Sequence, residues 1–454
     1  MKKASLKGMI SYGLGDLAGQ FVWTFIGSYL TIFYTDIVGL APAAISLIML
    51  GARIWDAVND PIMGAIAENT RNKLGRFRPW ITYGCPILAV FLVLTFTHPF
   101  SGSSAAGVIW ATVTYVVAGM IYTLVGIPYD ALAAVMTEDP KQLNFINTLR
   151  MVGMYAGNLI IGAATAGLAL HFSASGATAA DGRGYLYVAI IYGIISIPLY
   201  LIVGTQCKEV VQPVKRVKFS LKATFANNFK NKYIVIMFLI NLFVMLNMMI
   251  KNTFIPYYAQ YCLNNYAMIA TLSSIPMIVS IASTVVAPFI GNRIGTKNAM
   301  ILAVVIQMVG NVIMFVAPFN NIPLVMVGFC IAGWGSGGLG MSLVADAIDY
   351  MELRTGVRND GTAYAFAGFG RKLGSALAGS VGVWLLSMVG YIPNAEQAAA
   401  TLQGIKGIVS LTPFISGLAI IILLAVFWDL SPKQAEENRK KLSEQRAASE
   451  KEEA

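Results

Sequence analysis

The sequence predicts an all-α membrane protein of twelve transmembrane helices in two six-helix bundles. Three observations predict it. Of the 454 residues, 57% are hydrophobic and 12% charged, where a soluble chain would carry about 25% charge. Apolar runs of about 17 residues or more, long enough to span a bilayer, recur twelve times. The longest internal connection, about 205–231, divides those runs six and six.

The runs fall at about 10–34, 42–67, 80–97, 105–128, 145–170, 185–204, 232–261, 266–290, 298–317, 322–348, 361–389 and 405–428. The first follows Lys2, Lys3 and Lys7. It is too long for a signal-peptide core and shows no clear cleavage site, so it reads as a membrane helix. Lys and Arg set the orientation. With both termini in the cytosol, the inner segments hold 25 of the 32 basic residues and the outer loops only Arg183 and Lys406. The other five, Arg53, Arg150, Lys251, Arg371 and Lys372, fall within helices.

This gives a bundle over 1–204, a cytosolic linker over 205–231, a second bundle over 232–430 and a charged cytosolic tail over 431–454. The linker carries Lys208, Lys215, Arg216, Lys218, Lys222 and Lys230 against Glu209. The halves share a short basic turn with glycine at the same place, Asn72 to Arg78 in the first and Gly291 to Lys297 in the second. Parallel six-helix halves joined by a central linker are the organisation of major facilitator transporters.

Composition also excludes. The net charge of +10 lies in short connections, with no zinc spacing or basic helix for nucleic acid. Cys85, Cys207, Cys262 and Cys330 are far apart and imply no disulfide framework or metal site. His98 and His171 fall in expected external loops, which speaks against a histidine proton relay within the membrane. Gly333 to Gly338 fits GxGxxG but sits in an apolar run without a preceding strand, so it reads as small-residue helix packing. Ser336 has Trp334 where a nucleophile elbow needs glycine. No triad, phosphate loop or metal motif appears, so the chain does not read as an enzyme and calls for no cofactor.

The most informative stretch is Arg53 to Pro61. Arg53, Asp56 and Asp60 are spaced i, i+3, i+7 and share one helical face. A carboxylate at mid-membrane costs roughly 2.5–3.5 kcal/mol. Two on one face require a water-filled cavity, a bound cation or a basic partner. With Asn59 between them, Asp56 and Asp60 offer hard oxygen ligands suited to Na⁺ or a proton. Arg150, Lys251, Arg371 and Lys372 are intramembrane cations that could answer those carboxylates or bind an anionic cargo. The first helix carries Tyr12, Asp16, Gln20, Trp23 and Tyr29, polar and aromatic groups of the kind that hold sugars. Asp346, Asp349, Glu352, Arg354 and Arg358 suit an inner gate of ion pairs.

The chain resembles the glycoside–pentoside–hexuronide:cation symporter family over essentially all twelve helices. The resemblance rests on Ser11 to Asp16, Tyr34-Thr35-Asp36, Arg53 to Gly64, Gly75 to Trp80, Ile127-Pro128-Tyr129, Ala345 to Tyr350 and Lys372 to Ser375. It implies a cation site on Asp56, Asn59, Asp60 and Thr123, which would hold Na⁺ if coupling is to sodium. It implies sugar contacts near Gln20, Trp23, Asp130, Arg150, Lys251 and Lys372, and an inner barrier that includes Asp346, Asp349 and Arg358. Two positions where sugar-gripping carboxylates stand in galactoside-transporting members are Gln20 and Gly126 here. Keeping Arg150 and Lys372 without those acids implies a more positive site, which favours a hexuronide, partly offset by Asp130; pentosides stay open. Arg53 then reads as a local modulator, with Arg150 and Lys372 answering charge across the cavity. The expected function is cation-coupled glycoside import across the plasma membrane by a monomer. A symporter of the same fold for a lysolipid or another amphipathic cargo is the alternative.

Overall fold

The computed structural model describes residues 3–137, 139–210, 231–336, 339–355, 360–431, 433–438, 440–442 and 444. Among them all regular structure is helical apart from one isolated bridge between Asn72 and Gly75. In chain order the helices are α1 (Leu6–Ile32), α2 (Pro42–Asn69), α3 (Arg78–Thr95), α4 (Ala105–Met136), α5 (Pro140–His171) and α6 (Gly182–Gln206), then α7 (Lys232–Tyr257), α8 (Met268–Ile294), α9 (Thr296–Val316), α10 (Ile322–Ala332), α11 (Leu339–Thr355), α12 (Asp360–Met388) and α13 (Ala399–Ile422). Single π-helical turns extend α1 over Phe33–Val38, α7 over Tyr258–Cys262 and α13 over Leu423–Phe427.

Local chemistry sets the helix starts. Ser5, Ser104, Asp181 and Asn321 each accept the amide three residues on, at 2.9–3.2 Å, satisfying one orphan donor apiece. Prolines at the first turns of α2, α3 and α10 need no donor there. Nine helical segments among the described residues are long and apolar enough to cross a membrane. The 28-residue α2 falls outside that set and carries Arg53, Asp56 and Asp60.

The chain forms two compact units. Unit 1 comprises Met1–Arg216, Asn252–Ser274 and Gly379–Ile405; unit 2 comprises Val217–Lys251, Ile275–Ala378 and Lys406–Ala454. In unit 1, α1 starts at a near end, where the Cys207 thiol donates to Gly8 O at 3.3 Å. It finishes at a far end, where the Gly102 amide donates to Val38 O at 3.0 Å. The near end also carries the basic turn. Glu209 accepts the successive amides of Arg76, Phe77 and Arg78 at 2.8–3.3 Å, a small backbone cradle for a carboxylate. Gly75, at φ +119°, makes that turn possible; a Cβ there would also meet the Glu209 carboxylate.

Unit 2 is built on Tyr233, Met237, Ile240, Leu343, Ala347, Phe366 and Trp428. It corrects two expectations. The single run expected at 322–348 is broken between α10 and α11. Gly333 and Gly335 there let non-helical backbone approach Pro276 and Ser280 on α8. The Gly335 amide donates to Ser283 Oγ at 2.7 Å, and Gln307 donates to Trp334 O. Non-helical backbone survives at membrane depth only when its polar groups find partners in this way. Small residues therefore allow close packing against α8, as the sequence implies, but at a break in the helix rather than along an unbroken one. Lys406, expected in an outer loop, lies inside α13 and is 4% exposed. Its ammonium donates to Ala317 O at 2.6 Å and faces the rings of Phe315 and Phe319.

Candidate functional site

The α2 signature packs against α4 in regular register. Asp56 adjoins Gly119, Asp60 adjoins Thr123 and Gly64 adjoins Ile127, a constant offset of 63 in steps of four. Two parallel helices meeting along rows four residues apart produce that pattern. Thr123 Oγ1 donates to Asp60 Oδ1 at 3.2 Å. A Cβ at Gly119 would lie 3.2 Å from Asp56 Oδ1, so glycine leaves room beside that carboxylate. Asn59 is buried, and among the described residues its amide nitrogen has no hydrogen-bond partner. That is a group held in place without a protein reason for being there. Three of the four residues expected at the cation site thus lie along one face of α2, and the fourth reaches them from α4.

Arg53 Nη1 pairs with Asp56 Oδ2 at 3.1 Å, and its guanidinium lies 4.7 Å above the Trp23 ring. Arg53, expected as a local modulator, is therefore the direct counter-ion of Asp56. The reason is helical geometry: an i, i+3 partner on the same helix needs no second element to be positioned. Trp23 also stacks on Tyr122 of α4, with centroids 4.6 Å apart and planes 16° from parallel.

Arg150, expected to answer charge across a cavity, is engaged within unit 1. Its Nε donates to Asp16 Oδ2 at 2.5 Å and its Nη2 to Asp130 Oδ1 at 2.6 Å. Three helices make this clamp possible. Along α1 and α5, glycines bring backbones together: a Cβ at Gly13 would lie 2.7 Å from Leu149 O, and one at Gly157 would lie 2.5 Å from Gln20 Cβ. Along α1 and α4, Tyr12 and Tyr129 stack at 4.5 Å, and each hydroxyl donates to the other's carbonyl, at 2.9 and 2.7 Å. The Tyr129 oxygen accepts the Asp16 amide at 3.2 Å, and the Arg150 guanidinium lies 5.5 Å from the Tyr129 ring. Arg150, which the sequence reading counts toward a more positive site, is thus engaged by two carboxylates.

Gln20 Oε1 accepts the Thr24 hydroxyl at 2.5 Å and the Asn158 amide at 3.2 Å. Its carbonyl is thus used twice within the protein. Asn158 was missed by sequence reasoning. Its signal is the spacing: it stands eight residues after Arg150 on α5, two turns along the same face.

In unit 2, Lys251 places its ammonium 5.2 Å from the Phe329 ring centroid. Lys372 is exposed on α12, and Asp346 is buried and Asp349 partly buried on α11. Arg358 lies outside the described residues. All four cysteines are free thiols.

One further cluster was not anticipated. At the far end of unit 1, the Asp36 carboxylate accepts hydroxyls from Thr35 at 2.7 Å and from Tyr261 and Tyr391, and the Gln260 amide at 3.4 Å. Asn394 donates to Asp36 O. Residues from three distant stretches of sequence thus close on one carboxylate. Tyr391 lies beyond the end of α12; burial, then the neighbouring Asp36 charge, pushes its phenol well above the usual range.

Residues 11–430 match the family described as MFS/sugar transport protein. The chain is similar to an isoprimeverose transporter of Lactiplantibacillus pentosus, 31% identical over 94% of this chain and 92% of the relative. It is also similar to a glucuronide carrier protein homolog of Escherichia coli K12, 28% identical over 98% of each. The crystal structure of a D-xylose-proton symporter shares the fold, with a TM-score of 0.66 at 14% identity, covering 94% of this chain and 98% of that one. A family match over residues 11–430, multiple apolar helices and a shared fold agree: the chain belongs to the MFS/sugar transport protein family and has the major facilitator fold.

Proposed function

We propose that the protein imports a glycoside together with Na⁺ or H⁺, taking the cation at Asp56, Asn59, Asp60 and Thr123. The observation that carries this is the Asp60–Thr123 bond between α2 and α4, beside the Arg53–Asp56 pair. A cation arriving there relieves the repulsion between the Asp56 and Asp60 carboxylates. It also competes with Arg53 for Asp56. Because Arg53 rests on Trp23, and Trp23 on Tyr122, that competition is felt at an aromatic platform suited to a sugar face. Gln20, Asp130 and Arg150, on α1, α4 and α5, supply polar contacts for hydroxyls. Asp346, Asp349 and Arg358 take part in the inner barrier.

Cation binding raises sugar affinity, and by linkage sugar raises cation affinity by the same factor. The positive-inside pattern supports a plasma-membrane protein with both termini in the cytoplasm, working by alternating access as a monomer. The test is uptake of radiolabelled glycosides by vesicles under an imposed Na⁺ or H⁺ gradient. Wild type should concentrate its sugar; Asp56→Cys and Asp60→Cys should not. Accumulation against a gradient by both variants would remove the coupling role.

A further inference from the structure

Deep cations in this fold are given acceptors. Arg53 and Arg150 meet carboxylates, and Lys406 donates to Ala317 O at 2.6 Å. Lys251, on α7, breaks the pattern. Among the described residues its ammonium makes no hydrogen bond and no ion pair, and stands 5.2 Å from the Phe329 ring centroid. A ring face attracts a cation but does not replace an anion. The sequence offers no acid nearby: in unit 2 the stretches 232–251, 275–345, 361–378 and 406–428 contain no Asp or Glu. Snorkelling does not account for the lysine either. Phe329 is fully buried, so an ammonium at its ring points into the protein, not along it to the interface. At about 1.5 Å per residue, Phe329 lies about 10 Å below the start of α10 and Lys251 about 16 Å from the end of the π-turn after α7. Asn247 stands one turn earlier on the same face of α7. It too is half-buried, and its side-chain amide makes no hydrogen bond among the described residues.

We propose that Asn247 and Lys251 form an anion-recognition subsite in unit 2, which takes an oxyanion carried by the cargo, a carboxylate or a sulfonate, and makes the protein prefer acidic glycosides to neutral ones. This rests on the sugar-symport reading above. The ammonium brings a charge and three donors, and the Asn247 amide brings two more. An oxyanion has acceptors only and suits both, in the charge-assisted bonds that are the strong ones. A neutral hydroxymethyl group in its place leaves the ammonium without a counter-charge, and that difference is the selectivity. Arg150, already held by Asp16 and Asp130, is not called upon.

The test uses three probes that differ only at C6: methyl α-D-glucoside, methyl α-D-glucuronide and methyl 6-deoxy-6-sulfo-α-D-glucoside. Binding to the purified full-length protein is measured by calorimetry, once with saturating Na⁺ and once at mildly acidic pH, where both anions stay ionised. In wild type the better anionic probe should bind at least about ten-fold tighter than the glucoside, and which of the two wins identifies the oxyanion. Lys251→Met should lower that anion-to-neutral affinity ratio by about ten-fold, and Asn247→Leu by about three-fold. Lys251→Arg, which keeps the charge, should keep the wild-type order. A merely structural role for Lys251 would weaken all three probes together and leave the ratio unmoved. A wild-type protein that binds the glucoside as tightly as both anions, or an unchanged ratio in Lys251→Met, would overturn the proposal while leaving sugar symport standing. Failure of all three probes to bind with either cation would instead count against the glycoside reading itself, and the proposal would fall with it.

Discussion

Two groups in unit 1 have the same inventory, two aspartates and one arginine, and opposite construction. The Arg53 group is local. Its ion pair joins residues three apart on α2 at 3.1 Å, and the second carboxylate, Asp60, takes its hydrogen bond from a threonine on another helix. The Arg150 group is distributed. Its three members come from α1, α4 and α5, and both carboxylates reach the guanidinium at 2.5–2.6 Å. The Arg53–Asp56 pair lies within one helix, and Arg53 reaches a second helix through the Trp23 ring of α1. A distributed clamp cross-links three helices, and opening it would loosen their packing. Identical chemistry is thus a pair on one helix in one place and a clamp across three helices in the other.

The contrast can be broken most sharply at Arg150. Arg150→Met leaves Asp16 and Asp130 facing each other without their cation. Stranding a buried partner typically costs about 3–5 kcal/mol; the partial exposure of Asp130 brings the expected loss to about 2–3 kcal/mol. Thermal melting of the detergent-solubilised protein should show it, and an unchanged melting temperature would make the clamp ornamental. Arg53→Gln should behave differently. Stability should move by less than about 1 kcal/mol, while cation affinity rises about two- to ten-fold because a competitor for Asp56 is gone. Cation titration of intrinsic fluorescence would measure it; weaker cation binding would mean that Arg53 helps to shape the site.

An exposed pair sets the lower end of the scale. Lys232 and Asp429 meet at 2.6 Å near the start of α7, both more than half exposed. Hydrogen bonds from Lys232 and then Tyr233 hold the Asp429 carboxyl down at about 2, from an ordinary 3.8. A folded-state value below the unfolded one stabilises fully above the ordinary value and is lost as pH falls toward 2. Asp429→Asn should therefore cost less than about 1 kcal/mol near neutral pH, and the difference from wild type should vanish between about pH 4 and 2. A difference that persisted in acid would point to packing rather than charge.

Much of the fold was legible in the sequence, because bilayer thickness fixes helix length and the apolar runs display it directly. The α2 carboxylates were legible for a related reason: a helix turns i, i+3 and i+7 into one face without help from any other element. What could not be read depends on how separate helices cross. Nothing in the spacing of Asp16, Asp130 and Arg150 says that Gly13, Gly157 and the Tyr12–Tyr129 pair bring three helices close enough for a clamp. Asn158 was hidden behind the same crossing. The break after Ala332 was misread because glycine-rich apolar sequence suits both close helix packing and an unwound stretch. The deciding groups, Ser283 and Gln307, lie on other helices.

The far-end cluster around Asp36 carries a consequence of its own. Its carboxylate is held by Thr35, Gln260, Tyr261 and Tyr391, neutral donors all, and among the described residues it makes no ion pair. Mobile ions screen a pair of opposite charges, but they have little purchase on hydroxyls directed at a buried oxygen. This end of unit 1 is thus fastened by a closure indifferent to ionic strength, so the salinity of the medium has no direct hold on it.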